Sequence, residues 1–156
     1  MDLTIKAKPF ELEALEYLNQ NSPCLDLYKG KKYPGFQWAV TLAAEIDTIE
    51  WKRYSKIKLE NYFTGESFEN SSEVTHLAVD EEAYGNVATS IKEYFNLTRV
   101  QNAFVIRCVL KYAVSVLKNE KEDDILKLNV FCKNQLLILE LSLIHISEPT
   151  RLGMIS

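Results

Sequence analysis

Side chains able to do chemistry are few in this chain of 156 residues, and they lie far apart. There are two histidines, His76 and His145, and three cysteines, Cys24, Cys108 and Cys132. A nucleophilic triad needs a base beside its hydroxyl or thiol, and a metal centre needs several ligands at short spacing. The sequence offers neither a CxxC pair nor a second histidine close to the first. Cys108 lies inside the apolar run "NAFVIRCVLKYAVSVL", where a thiol packs as a small hydrophobe. Asp80, Glu81 and Glu82 are adjacent carboxylates that could attract a cation. A helix start explains them more simply, with Asp80 as N-cap and two acids facing the positive end of the dipole. No glycine-rich phosphate loop and no nucleophile motif occurs. The expectation is a protein that is not an enzyme and uses no cofactor and no metal.

Basic side chains suggest a different chemistry. Lys29, Lys31 and Lys32, flanked by Tyr28 and Tyr33, form the densest cationic cluster. Ammonium groups so placed can grip phosphate, or they can simply solvate a tight turn at Gly30. The formal net charge is −4, so no global field attracts nucleic acid and any such contact needs a local patch. Composition is that of a soluble globular protein, with enough apolar residues for a core. "MDLTIKAKPFELE" lacks the apolar stretch of a secretory leader, and no window matches the roughly 18 apolar residues of a membrane span. A cytoplasmic protein without membrane contact is expected. The residues reveal no internal repeat.

The last stretch, "LSLIHISEPTRLGMIS", resembles something other than protein sequence. Leu141 to Arg151 resemble the translation of a transposase-type sequencing-library adapter, and Leu152 to Ser156 fit the index and constant bases that such an adapter carries next. On that resemblance native sequence stops near Glu140, and residues 141–156 are excluded from fold reasoning. His145 goes with them, leaving His76. The junction also creates "LLILELSLIHI", an apolar stretch prone to aggregation if exposed.

The elements that must position these residues follow from periodicity. "KPFELEALEYLNQNSP" reads as a helix with Pro9 in its first turn and Phe10, Ala14, Leu15, Tyr17 and Leu18 as its stripe. "CLDLYKGKKYPGF" reads as a hairpin or loop, and "FQWAVTLAAEIDTIEWKRYSK" as a second helix carrying Trp38, Leu42, Ile46 and Ile49. "KIKLENYF" extends that helix or turns into strand, and residues 64–72 read as a linker. Val74 to Val79 alternate as a strand, with Thr75, Leu77 and Val79 facing one way and Val74, His76 and Ala78 the other. After Asp80 comes a helix with Tyr84, Val87, Ala88, Ile91 and Phe95 on one face. Thr98 and Gln101 fit a capping box for a last helix. That helix is apolar except at Arg107, Lys111 and Ser115, which recur every four residues as a narrow solvated stripe. It is too apolar to be covered by its own strand and helix, so either a second copy or the N-terminal half must enclose it.

The order strand, helix, helix over Val74 to about Lys118, with "VDEEAY" at the cap and "VIRCVL" carrying the pair Ile106 and Arg107, resembles the ribbon-helix-helix family of DNA-binding proteins. The resemblance implies a homodimer whose two strands form an antiparallel ribbon in the major groove. Carried over by position, Val74, His76 and Ala78 are the base-reading places, and Thr98, Arg99 and Val100 hold a phosphate at the start of the second helix. Of the ribbon positions only His76 can hydrogen-bond, whereas members of the family this stretch resembles usually place Arg, Lys, Gln, Asn or Thr there. The fold class expected is mainly α: a helical N-terminal region at 1–63, the strand-helix-helix dimerisation unit at 73–119 and a C-terminal piece at 120–140. The implied function is a small dimeric DNA-binding protein, a transcriptional repressor or an accessory factor of a mobile element. A protein-protein interaction module using the same dimer is the alternative. A chain in which residues 74–118 pack on the N-terminal helices within one monomer is the third arrangement.

Overall fold

The computed structural model describes residues 1–22, 32–46, 49–66 and 73–118. It is mainly helical, with one small antiparallel sheet. The segment at 120–140 and the tail at 141–156 lie outside the described residues, as do Lys29 and Lys31 and most of the expected hairpin.

The chain opens with a strand, β1 (Asp2–Ala7), whose residues alternate exposed and buried. Leu3, Ile5 and Ala7 point inward, while Asp2, Thr4 and Lys6 point outward. Helix α1 (Pro9–Asn21) follows at once. Pro9 opens it, and the Glu11 carboxylate accepts the Lys8 backbone N–H at 2.9 Å, one half of a capping box. Helix α2 (Pro34–Glu45) ends at Ile46, and a separate short helix α3 (Trp51–Ser55) stands where the sequence pattern suggests continuity. "KIKLENYF" resolves into a 3-10 turn at Leu59–Asn61.

Strand β2 (Glu73–Ala78) buries Thr75 and Leu77, and Val79 just beyond it, on the expected face. The Asp80 carboxylate accepts the Ala83 N–H at 2.9 Å, capping α4 (Glu81–Tyr94) as expected. Tyr84, Val87 and Ile91 form its buried face. The last helix, α5 (Asn102–Leu117), starts later than the Thr98 capping box predicts. Asn96 adopts a left-handed φ of 54°, and the chain uses residues 97–101 to cross the helix ends, packing Val100 against the core on the way. Gln101 is the N-cap and makes no side-chain capping bond.

The partner of β2 comes from the same chain. β1 and β2 pair antiparallel, with Leu3 opposite Leu77, Thr4 opposite His76 and Lys6 opposite Val74. The ladder continues past the strands, where the Val79 N–H donates to the Met1 carbonyl at 2.9 Å. No second copy is needed to complete the ribbon. The enclosure of α5 is settled in the same way, because α1, α2, α3 and β1 all pack on it together with α4. Both sides of the expected 64–72 boundary feed one continuous core.

The polar stripe of α5 is drawn partly under neighbouring elements, with Arg107 and Lys111 half-buried. Arg107 Nε donates to the buried Glu11 at 2.8 Å, Lys111 Nζ donates to the Ser55 carbonyl at 3.1 Å, and Ser115 is buried. With α1 and α3 drawn over this side of the helix, Arg107 and Lys111 bond to protein groups while keeping part of their contact with solvent. Cys108 is buried, and burial pushes its thiol up to about 11, outweighing the opposing charge of Lys111.

A repetition invisible in the residues emerges from the packing. β1-α1-α2 and β2-α4-α5 are both strand, helix, helix. A shift of 72 in residue number carries inward Leu3, Ile5 and Ala7 onto inward Thr75, Leu77 and Val79, and N-cap Lys8 onto N-cap Asp80. Exchanging the halves also preserves which elements touch. α1 packs on α2 and α4 on α5, α1 on α5 and α4 on α2, and β1 on α5 and β2 on α2. One chain thus builds an arrangement with the approximate twofold character of two associated copies. Helix α3 and the 3-10 turn belong to neither half.

Candidate nucleic-acid interface

With Leu3, Ile5, Ala7, Thr75 and Leu77 buried beneath it, the ribbon turns its other face outward. That face carries Asp2, Thr4 and Lys6 from β1 and Val74, His76 and Ala78 from β2. Five of these are exposed, Val74 at 63%, and Ala78 is half-buried. Among the described residues, no hydrogen bond or ion pair holds Lys6 or His76. Six residues per strand give a ribbon about 20 Å long, and a two-stranded ribbon is narrow enough to enter the roughly 12 Å major groove of B-form DNA.

The three residues assigned from sequence, Val74, His76 and Ala78, are thus brought together on one face. The sequence reading missed the three beside them. Lys6 and Thr4 are the hydrogen-bonding side chains whose absence from β2 weakened the base-reading role. The signal that could have found them is the six-residue alternation "DLTIKA", which has the period of a half-buried strand.

The phosphate-holding positions are arranged differently from expectation. Thr98 and Arg99 are exposed and Val100 is half-buried, but all three precede α5. The free backbone N–H groups of its first turn belong to Asn102, Ala103 and Phe104 instead. The Asn102 carboxamide is occupied by the Tyr84 hydroxyl, which donates to it across the gap from α4. Burial raises the Tyr84 phenol above its ordinary value, so it remains a donor. In the other half, Lys32 is exposed directly ahead of Tyr33, the N-cap of α2, with its ammonium 5.6 Å from the Tyr33 ring centroid. A cation therefore precedes the second helix of each half: Lys32 before α2 and Arg99 before α5. The start of α2 is fixed to the ribbon's end, since the buried Gln37 side chain accepts the Asp80 N–H at 2.9 Å.

A second surface feature lies at the α4–α5 turn. Phe95, Leu97, Arg99, Val100, Gln101 and Phe104 line a shallow hollow of about 460 Å³. Leu97 and Phe104 are exposed there, with Tyr94 close by in sequence. Among the described residues no group of three His, Cys, Asp or Glu side chains could hold a metal ion, and no helix is long and apolar enough to cross a membrane. In comparisons with protein-family models, curated proteins and solved structures, nothing matches this chain.

Proposed function

We propose that the chain is a non-enzymatic DNA-binding protein that lays the outer face of its β1–β2 ribbon in the major groove of duplex DNA. The observation that carries this reading is the open ribbon face itself, a row of side chains without hydrogen-bond or ion-pair partners among the described residues, on a two-stranded element whose reverse side is core. Lys6, Thr4 and His76 supply hydrogen bonds to base edges, and Val74 and Ala78 supply apolar contact of the kind thymine methyls accept. Lys32 and Arg99 add phosphate contacts ahead of α2 and α5. β1 takes the place of the strand that a second copy would contribute, so a homodimer is not required for binding.

Binding of the full chain to duplex DNA, followed by fluorescence anisotropy, tests this. Affinity should fall steeply with added salt, and Lys6→Glu should weaken it at least tenfold, the order of one lost bidentate contact. Arg99→Ala should lower the salt slope by about one unit. Binding that ignores salt and both substitutions overturns the reading.

A protein-interaction role is the second reading, favoured by the exposed Leu97 and Phe104 and the net acidity. Association of that kind should survive Lys6→Glu and fail on Phe104→Lys.

A further inference from the structure

We infer that the DNA site is non-palindromic and is bound by a single chain, with a guanine preferred at the end of the ribbon that Lys6 faces. The inference rests on the ribbon being the DNA-reading face. A ribbon built from two identical strands has identical ends, so the site it reads mirrors that twofold symmetry. This ribbon has two unlike strands. Its register places Lys6 with Val74 at one end, Thr4 with His76 in the middle, and Asp2 with Ala78 at the other end. The shift of 72 makes Ala78 the counterpart of Lys6 and Val74 the counterpart of Asp2. Lysine therefore faces alanine across the symmetry, and aspartate faces valine.

The chemistry of the two ends diverges accordingly. At the first end an ammonium can donate to the O6 and N7 acceptors of guanine, beside a valine able to contact a thymine methyl. At the second end no outward side chain is cationic, and the Met1 terminal ammonium just beyond it is engaged, donating to the Val79 carbonyl at 3.2 Å. The Asp2 carboxylate repels phosphate and can accept only from a donor such as the cytosine N4 amine. The outward side chains thus run from the Lys6 cation to the Asp2 anion along the ribbon, and so along the groove. It gives the complex a direction on the duplex that a symmetric dimer lacks.

The test is selection of binding sequences from a randomised duplex library with the full chain, with stoichiometry from sedimentation. The expected result is a motif that differs from its own reverse complement, occupied by one chain per duplex. Lys6→Ala should relax the guanine preference at one end by about tenfold and leave the other end unchanged. Ala78→Lys places lysine at the symmetry-related position, and should add a guanine preference at the second end, moving the motif toward a palindrome. A palindromic motif for the unaltered chain, or two chains per duplex, overturns the inference while leaving DNA reading in place. No enriched sequence together with no salt-dependent retention of duplex overturns both.

Discussion

The two strand-helix-helix halves solve one packing problem by different means. In the first half, α1 and α2 press together so closely that Gly35 leaves no room for a side chain. A Cβ there would lie 2.4 Å from the Leu18 carbonyl carbon, and the Gly35 N–H donates to the Asn19 side chain at 2.9 Å. In the second half, α4 and α5 touch little. α3 fills the space beside them, with Tyr54 and Trp51 against Tyr112 of α5 and the Trp51 indole donating to Ser90 of α4. The first half thus depends on backbone proximity and the second on inserted aromatic volume. Steric tolerance should therefore be low in one and higher in the other.

The largest expected effect is at the close contact. Gly35→Ala must push α1 and α2 apart, because the obstructing atoms are backbone, and should cost about 3 kcal/mol in chemical denaturation. A cost below about 1 kcal/mol would erase the contrast between the halves. Next comes the link between them, the Arg107–Glu11 pair. Arg107→Ala strands a buried carboxylate that keeps only its bond from the Lys8 N–H. The loss should be about 2 kcal/mol, below the usual cost of breaking a fully buried pair because the arginine is 36% exposed. Replacing both partners with apolar residues of similar volume should restore much of it.

A smaller effect is set by pH. The Cys108 thiol ionises near 11 when folded and near its ordinary 9.0 when unfolded. Above pH 9 the unfolded chain releases this proton and the folded chain keeps it, so stability present below pH 9 drains away as the pH rises toward 11. The difference reaches about 1 kcal/mol by pH 10. It should appear as a steeper alkaline fall in melting temperature for the unaltered chain than for Cys108→Ala. The smallest effect tests the looser half. Gly85 lies on the exposed face of α4, where an added Cβ meets nothing within 4 Å. Gly85→Ala should stabilise the protein by about 0.7 kcal/mol through helix propensity alone, readable as a small rise in melting temperature.

Much of the second half is legible in the residues because its signals are local. The alternation in Val74 to Val79, the Asp80 cap and the Tyr84, Val87, Ile91 face each lie within one element, and the structure shows each of them. The first strand carries the same alternation but sits at the extreme N-terminus, where six residues without a visible partner do not declare a sheet. Signals that depend on distant partners cannot be read locally. The spacing of Arg107, Lys111 and Ser115 marks one helix face, but whether it meets water depends on Glu11, placed 96 residues earlier. Likewise the apolar α5 demands a cover without indicating which of two covers it has. Half of the candidate site, Asp2, Thr4 and Lys6, becomes visible only once β1 pairs with β2.

That pairing also governs when the molecule can take shape. A ribosome releases β1 first and delivers its partner strand some seventy residues afterward, a wait of about 4 to 14 seconds at ordinary translation speeds. Through that interval Leu3, Ile5 and Ala7 have no sheet to join, so the nascent chain offers a bare strand edge to whatever meets it at the tunnel exit.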